Sequence, residues 1–177
     1  MLLQIGIGIF ALLAVFLGYV AAKPSDYVIS REIAIHAPPE KIFPYLDSAE
    51  AANDWMPWQE IDPKTKMEFT GPARGVGSRA SWTSEGQMGV GSATVTEVEP
   101  LRRVALKLEY VRPFTMEQDA AYLVRNEGGT SIVTWQVAGK NTFLARLMCT
   151  FMNMDKMVGD SFEKGLAKLK RLAENGS

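Results

Sequence analysis

A single cysteine and a single histidine limit the chemistry that this chain supports. Cys149 has no second cysteine with which to form an intrachain disulfide bond, and metal centres built from several Cys or His ligands are excluded. His36 has no partner recognisable in the sequence, whereas classical hydrolase sites need a positioned histidine base. We therefore predict no metal site and no cofactor.

Basic residues are not in surplus either. Lysine and arginine number 19 against 20 aspartate and glutamate residues, which gives a formal net charge of −1. Proteins that bind nucleic acid carry a basic patch or stripe that neutralises phosphates. We therefore expect no nucleic-acid partner.

No charged residue precedes Lys23. Residues 2–22 read LLQIGIGIFALLAVFLGYVAA, and as a helix they would rise about 32 Å, which matches a hydrocarbon core of roughly 30 Å. We predict a transmembrane anchor over residues 1–23, which contacts the membrane through residues 2–22, and one domain over residues 24–177. A cleaved signal peptide is the alternative, because Val20 and Ala22 form a passable cleavage site.

The charges that follow the apolar run predict an orientation. Lys23, Arg31 and Lys41 come after it and no basic residue precedes it. Positive residues stay on the cytoplasmic side of single-pass proteins, although long domains can cross regardless. We therefore expect a membrane protein whose domain faces the cytoplasm.

The rest of the sequence predicts an α+β domain. Alternating apolar and polar residues indicate strands, and Pro38-Pro39 followed by Glu40 indicates a short helix that starts after the first strand, with a second short helix ending near Asp54. The predicted strands are residues 27–37, 66–70, 78–84, 90–99, 103–112, 115–125 and 131–139.

The spacing of the apolar residues changes after Thr142. From there they recur every three or four positions as far as Leu169. This spacing predicts one helix of about 30 residues, with Gly159 as a candidate kink. Only this helix is long and apolar enough to cover a curved antiparallel sheet. We expect an elongated cavity between the two.

The order and spacing of several short stretches resemble the START-like superfamily of helix-grip proteins, in particular its polyketide cyclase/dehydrase-like group. The resemblance covers about residues 27–172 and implies a hydrophobic ligand cavity, whereas it implies chemistry much less. The matching stretches are IHAPPEKIF at 35–43, WMPW at 55–58 with Asp62-Pro63, GPARGVG at 71–77 with Ser81-Trp82, VTW at 133–135, MDKM at 154–157 and FEKGL at 162–166.

The resemblance implies a START-like helix-grip domain that is preceded by an N-terminal membrane helix. We interpret the protein as a membrane-anchored domain that binds a hydrophobic small molecule or lipid. Two alternatives are a cyclase- or dehydrase-type enzyme acting in the same cavity and a protein-interaction module.

The predicted ligand-binding residues combine the inward side of the strands with one side of the last helix. Each is also a normal core residue, so the set is more informative than any member. No catalytic residue is assigned. The ligand-binding set is Trp82, Tyr110, Tyr122, Trp135, Phe151, Met154, Val158 and Phe162.

Polar strand residues are the remaining candidates. Glu97 shares a strand face with Ala93 and Val95, so an inward carboxyl at Glu97 would be the acid to test first in an enzyme. Glu109 lies opposite the Tyr110 side and is expected to be solvated, whereas Gln118 could point inward or outward.

Overall fold

One seven-stranded antiparallel sheet forms the body of the protein, with a helix packed on its concave face. The computed structural model describes residues 2–175. The strands β1–β7 are Asp26–Ile35, Lys66–Thr70, Arg79–Thr83, Val90–Glu99, Arg103–Arg112, Met116–Glu127 and Thr130–Lys140. The helices α1–α6 are Leu2–Ala22, Pro39–Ile42, Ala49–Asn53, Trp58–Ile61, Phe143–Phe151 and Met154–Asn175.

The sheet order is β1-β7-β6-β5-β4-β3-β2. All seven strands predicted from alternation are confirmed to within two residues at each end. The connection from β1 to β2 crosses from one edge to the other and carries α2, α3 and α4. The predicted α+β architecture is therefore confirmed, whereas the domain boundary at residue 24 remains a prediction.

Successive side chains along each strand point to opposite faces of the sheet. In β5, Val104 and Leu106 are buried on the concave side, whereas Lys107 on the opposite side pairs with the Glu117 carboxylate at 2.8 Å. Ser48 caps α3 by accepting a hydrogen bond from the Ala51 N–H at 3.3 Å. These concave side chains and α6 together form the core.

The predicted C-terminal helix is divided into two. The prediction of a possible kink at Gly159 is wrong, because α6 runs through Gly159 and the break lies at Met152 and Asn153. Met152 adopts an extended backbone, and the Asn153 side chain then accepts a hydrogen bond from the Lys156 N–H at 3.0 Å. An asparagine in this position favours the start of a new helix, so α5 leaves the direction of α6.

The N-terminal apolar run forms α1 as a helix, but the predicted anchor is not supported. Within residues 2–175, the structure contains no helix with both the length and the apolar character that crossing a membrane requires. The end of α1 packs instead on α5, where Val20 is fully buried and the rings of Phe16 and Phe151 lie 6.0 Å apart. The orientation inferred from flanking charges depended on that anchor and loses its basis.

An arginine on β1 fixes the start of α6. The Arg31 guanidinium donates to the Asp155 carboxylate at 2.9 Å and to the Glu163 carboxylate at 3.1 Å. These contacts raise the pKa of Arg31 and lower the pKa of Asp155. A Cβ atom on Gly159 would lie 2.0 Å from Arg31 Nη2, so the glycine makes room for the guanidinium.

The Gly159→Ala variant tests this arrangement. In an unobstructed helix the change would stabilise the protein by about 1 kcal/mol through helix propensity. We expect it to lower the melting temperature of the otherwise unchanged protein, because the new methyl group displaces Arg31, and to raise it when Arg31→Ala is also present. Thermal unfolding of the two single variants and the double variant measures the difference. Equal effects in both backgrounds would contradict the proposed fit.

Candidate functional site

A cluster of aromatic rings fills the centre of the concave face. Trp135 of β7 stacks on Phe162 of α6 with centroids 4.0 Å apart and planes 11° apart. Tyr122 and Trp55 pack edge-on against Trp135, at 6.0 and 5.2 Å. The Trp55 indole also donates to the Tyr45 carbonyl at 2.9 Å, so Trp55 anchors its loop in the core. No space remains for a ligand among these rings, since all four are almost completely buried.

A second aromatic pair lies further along the sheet. Trp82 of β3 and Tyr110 of β5 meet edge-on at 5.6 Å, across Gly91 of β4. A Cβ atom at Gly91 would lie 2.5 Å from the Trp82 ring, so this glycine is required for the close approach. The Trp82 indole donates to the Met88 carbonyl at 3.1 Å.

A buried carboxylate secures the loops beside Trp82. Asp62 accepts hydrogen bonds from the Ser84 hydroxyl at 2.6 Å and from the Met88 N–H at 3.3 Å. The Ser84 hydrogen bond is the main reason why the pKa of Asp62 is lowered. This carboxylate is a structural link between two loops, since its oxygens face the chain's own donors.

Polar side chains from the two strands beside β7 complete this end of the face. Tyr27 of β1 and Gln118 of β6 both pair with Gly139 of β7, so that they approach each other over a residue without a side chain. The Gln118 amide donates to the Tyr27 hydroxyl. Burial is the main reason why the pKa of Tyr27 is raised, and Cys149 of α5 adds a smaller effect.

This part of the concave face is less covered than the centre. We call it the open end and define it by Tyr27, Trp82, Tyr110 and Gln118. The helix α6 packs mainly on β1 and to a smaller extent on β7. Tyr27, Tyr110 and Gln118 are only partly buried, with Trp82 as the buried floor.

The structure separates the eight predicted ligand-binding residues. Trp82 and Tyr110 belong to the open end, whereas Tyr122, Trp135 and Phe162 lie in the central cluster. Phe151 is 76% exposed on α5, because the break after it turns that helix away from the sheet. Met154 and Val158 are half-buried in the first turns of α6, with Val158 packed on the core.

Two depressions in the described residues lie elsewhere than the predicted elongated cavity. One of about 210 Å³ lies between α4 and α6, beside Lys164, Lys168 and Arg171. The other, of about 310 Å³, lies on the outer face of the sheet over Ala105 and Ala121. Neither lies between the sheet and α6.

The possible inward orientation of Glu97 is wrong. A register shift between Val95 and Glu97 reverses the alternation, so the Glu97 carboxylate is 57% exposed and pairs with Arg103. Bulges of this kind cannot be read from residue type alone. The expected solvation of Glu109 is confirmed, because its half-exposed carboxylate pairs with Arg79 at 3.3 Å.

Tyr27 and the role of Gly139 were missed in the sequence. Tyr27 lies at the start of the predicted first strand, where alternation alone assigns it to the concave side together with Ile29. What alternation does not give is the strand pairing that places Tyr27 and Gln118 on either side of Gly139.

A family described as "Polyketide cyclase / dehydrase and lipid transport" matches residues 27–174. No curated protein matches the chain.

Solved structures with the same fold cover most of the chain. Protein MLL2253 from Mesorhizobium loti has a TM-score of 0.61 and 17% identity, covering 85% of this chain and 99% of that chain. TTHA0849 from Thermus thermophilus has a TM-score of 0.60 and 16% identity, with coverage of 85% and 99%. The Aha1 dimer from Colwellia psychrerythraea has a TM-score of 0.57 and 21% identity, with coverage of 85% and 98%. At these identities the likeness concerns the fold alone.

Tyr110 should make stability sensitive to alkaline pH. Burial raises the pKa of Tyr110 from 10.0 to about 12. The raised value means that the stabilisation is complete below about pH 10 and is lost as the pH rises toward 12. We expect the Tyr110→Phe variant to lose less free energy of unfolding over this range, as measured by urea unfolding at each pH. An unchanged dependence on pH would contradict the burial of this hydroxyl.

Proposed function

Because this chain belongs to the polyketide cyclase / dehydrase and lipid transport family, we propose that it binds a hydrophobic small molecule or lipid at the open end. The apolar part of the ligand would lie against Trp82 and Tyr110, beside the first turns of α6. The proposal includes no membrane-spanning anchor.

The observation that supports this location is the division of the C-terminal helix. The α6 segment is fixed over β1 by Arg31, and Trp135 stacks on Phe162, so the centre of the face is filled. The α5 segment leaves the direction of α6 at Met152 and packs on α1. The open end, beyond the part of the sheet on which α6 mainly packs, therefore presents the aromatic pair Trp82 and Tyr110 as an apolar surface for a ligand.

Residues of α6 and α5 would form the border of this site. Val158 and Met154 belong to the turns of α6 nearest the break, and methionine adapts its shape to different apolar partners. Cys149 of α5 lies close enough to Tyr27 to influence its pKa.

Glu97, the candidate acid for an enzyme, does not face the concave side of the sheet. Glu97 is on the outer face and pairs with Arg103, whereas a general acid or base must reach the substrate. The side chains that define the open end are aromatic or amide groups, so binding accounts for the site better than acid–base catalysis does.

Tryptophan fluorescence tests the location of the ligand. Trp82 is the only one of the four tryptophans outside the group formed by Trp55, Trp58 and Trp135. We expect titration with a short-chain quinone or a fatty acid to change the emission of the unaltered protein. The Trp82→Phe variant should lose most of that change, because the bound molecule contacts this indole.

The Trp58→Phe variant is the matched control, since it makes the same substitution at a partly buried indole outside the open end. It should retain the response to ligand. A response that survives Trp82→Phe, or no response to any apolar compound in the unaltered protein, would contradict binding at the open end.

A further inference from the structure

The Tyr27 and Tyr110 hydroxyl groups at the open end can still donate hydrogen bonds to a ligand. Gln118 donates one hydrogen bond to the Tyr27 oxygen, which leaves the Tyr27 hydroxyl hydrogen available. Within residues 2–175 the structure shows no partner for the Tyr110 hydroxyl, and that oxygen is not among the sealed, unpartnered polar atoms. Two phenolic donors therefore face the concave space beside an apolar floor.

Strand register fixes the position of these donors. Tyr27 and Gln118 lie on either side of Gly139, and a Cβ atom there would be 2.7 Å from the Tyr27 oxygen. Tyr110 of β5 lies two residues beyond Leu108, which pairs with Gln118 of β6, so Tyr110 and Gln118 are diagonal neighbours on the concave side. The donors are thus held by neighbouring strands rather than by a flexible loop, which favours recognition of one ligand group.

No basic side chain pairs with these donors. In the part of the chain that the structure describes, no lysine or arginine hydrogen-bonds to Tyr27, Tyr110 or Gln118, and none contributes to the pKa shift of either tyrosine. Burial raises the pKa of both tyrosines, so they remain neutral donors at physiological pH. An ionised carboxylate or phosphate placed here would lose its hydration without gaining a cation, which is costly.

From this geometry we infer that the ligand carries a neutral oxygen group, a hydroxyl or a carbonyl, which accepts hydrogen bonds from Tyr27 and Tyr110 while its apolar body contacts Trp82. This inference rests on the proposed function, because it names the class of molecule bound at the same site. The ligand is accordingly a neutral, oxygen-containing lipid or ring compound rather than a lipid anion.

A series of probes with one chain length tests the inference. Decanol, decanone, decanoate and decane differ only in their polar end, and decanoate is ionised at about pH 8. We expect the full-length protein to bind decanol and decanone roughly tenfold more tightly than decane or decanoate, since each adds hydrogen bonds without a buried charge. Isothermal titration calorimetry or displacement of a bound fluorescent probe gives the four affinities.

Two variants locate the preference. Tyr27→Phe and Gln118→Leu should reduce the advantage of decanol over decane while leaving the affinity for decane nearly unchanged. Tyr19→Phe, which removes an exposed phenol on α1, is the matched control and should change nothing. Melting temperatures of the three variants show whether each remains folded.

The outcomes distinguish the inference from the proposed function. Equal binding of all four probes, or the tightest binding for decanoate, would overturn the inference but leave an apolar site in place. A preference for decanol that survives both Tyr27→Phe and Gln118→Leu would also overturn it. Binding of none of the probes would instead contradict the proposed function itself.

Discussion

The stacked contact between Trp135 and Phe162 determines how the rest of the concave face is used. With centroids only 4.0 Å apart, the two rings fix the line along which α6 crosses the sheet. Tyr122 and Trp55 close the remaining space around Trp135 at the centre. Because α6 packs mainly on β1, the proposed site near Trp82 lies beyond the part of the face that this helix covers most closely. One dense contact therefore separates a filled core from the proposed ligand site.

Two glycines let inward side chains of β1 extend over their neighbours. Arg31 reaches across Gly159 of α6 to Asp155 and Glu163, and the Tyr27 ring lies over Gly139 of β7. The Arg31 ion pairs are partly exposed, so their main effect is on the position of α6 rather than on overall stability. The Tyr27 contact has a different consequence, since it brings a phenol next to Gln118. The same strand thus positions both the helix and the polar part of the proposed site.

Periodicity in the sequence was sufficient to predict the seven strands, because each alternates over five residues or more and ends at a glycine, a proline or a polar turn. Periodicity was not sufficient to predict that the last helix is divided. The apolar spacing continues through Met152 and Asn153, whereas the Asn153 cap interrupts the helix there. The residues of the proposed site were predicted only as members of a larger ligand-binding set. Trp82 and Tyr110 lie on the concave side, as alternation indicated, and their contact with a ligand stays a prediction, whereas Tyr122, Trp135 and Phe162 share the same periodicity and lie in the core. Distinguishing the two groups requires the three-dimensional path of α6, and the orientation of Glu97 depends on a bulge that residue type does not reveal.

The most direct test of the account is a set of intermolecular nuclear Overhauser contacts between a bound apolar molecule, such as decanol, and the side chains of the protein. Our account predicts contacts from the ligand to Trp82, Tyr110 and Val158, with none to Trp135 or Phe162. Contacts to Trp135 and Phe162, which would require the central stack to separate, or contacts confined to the outer face over Ala105 and Ala121, would contradict it.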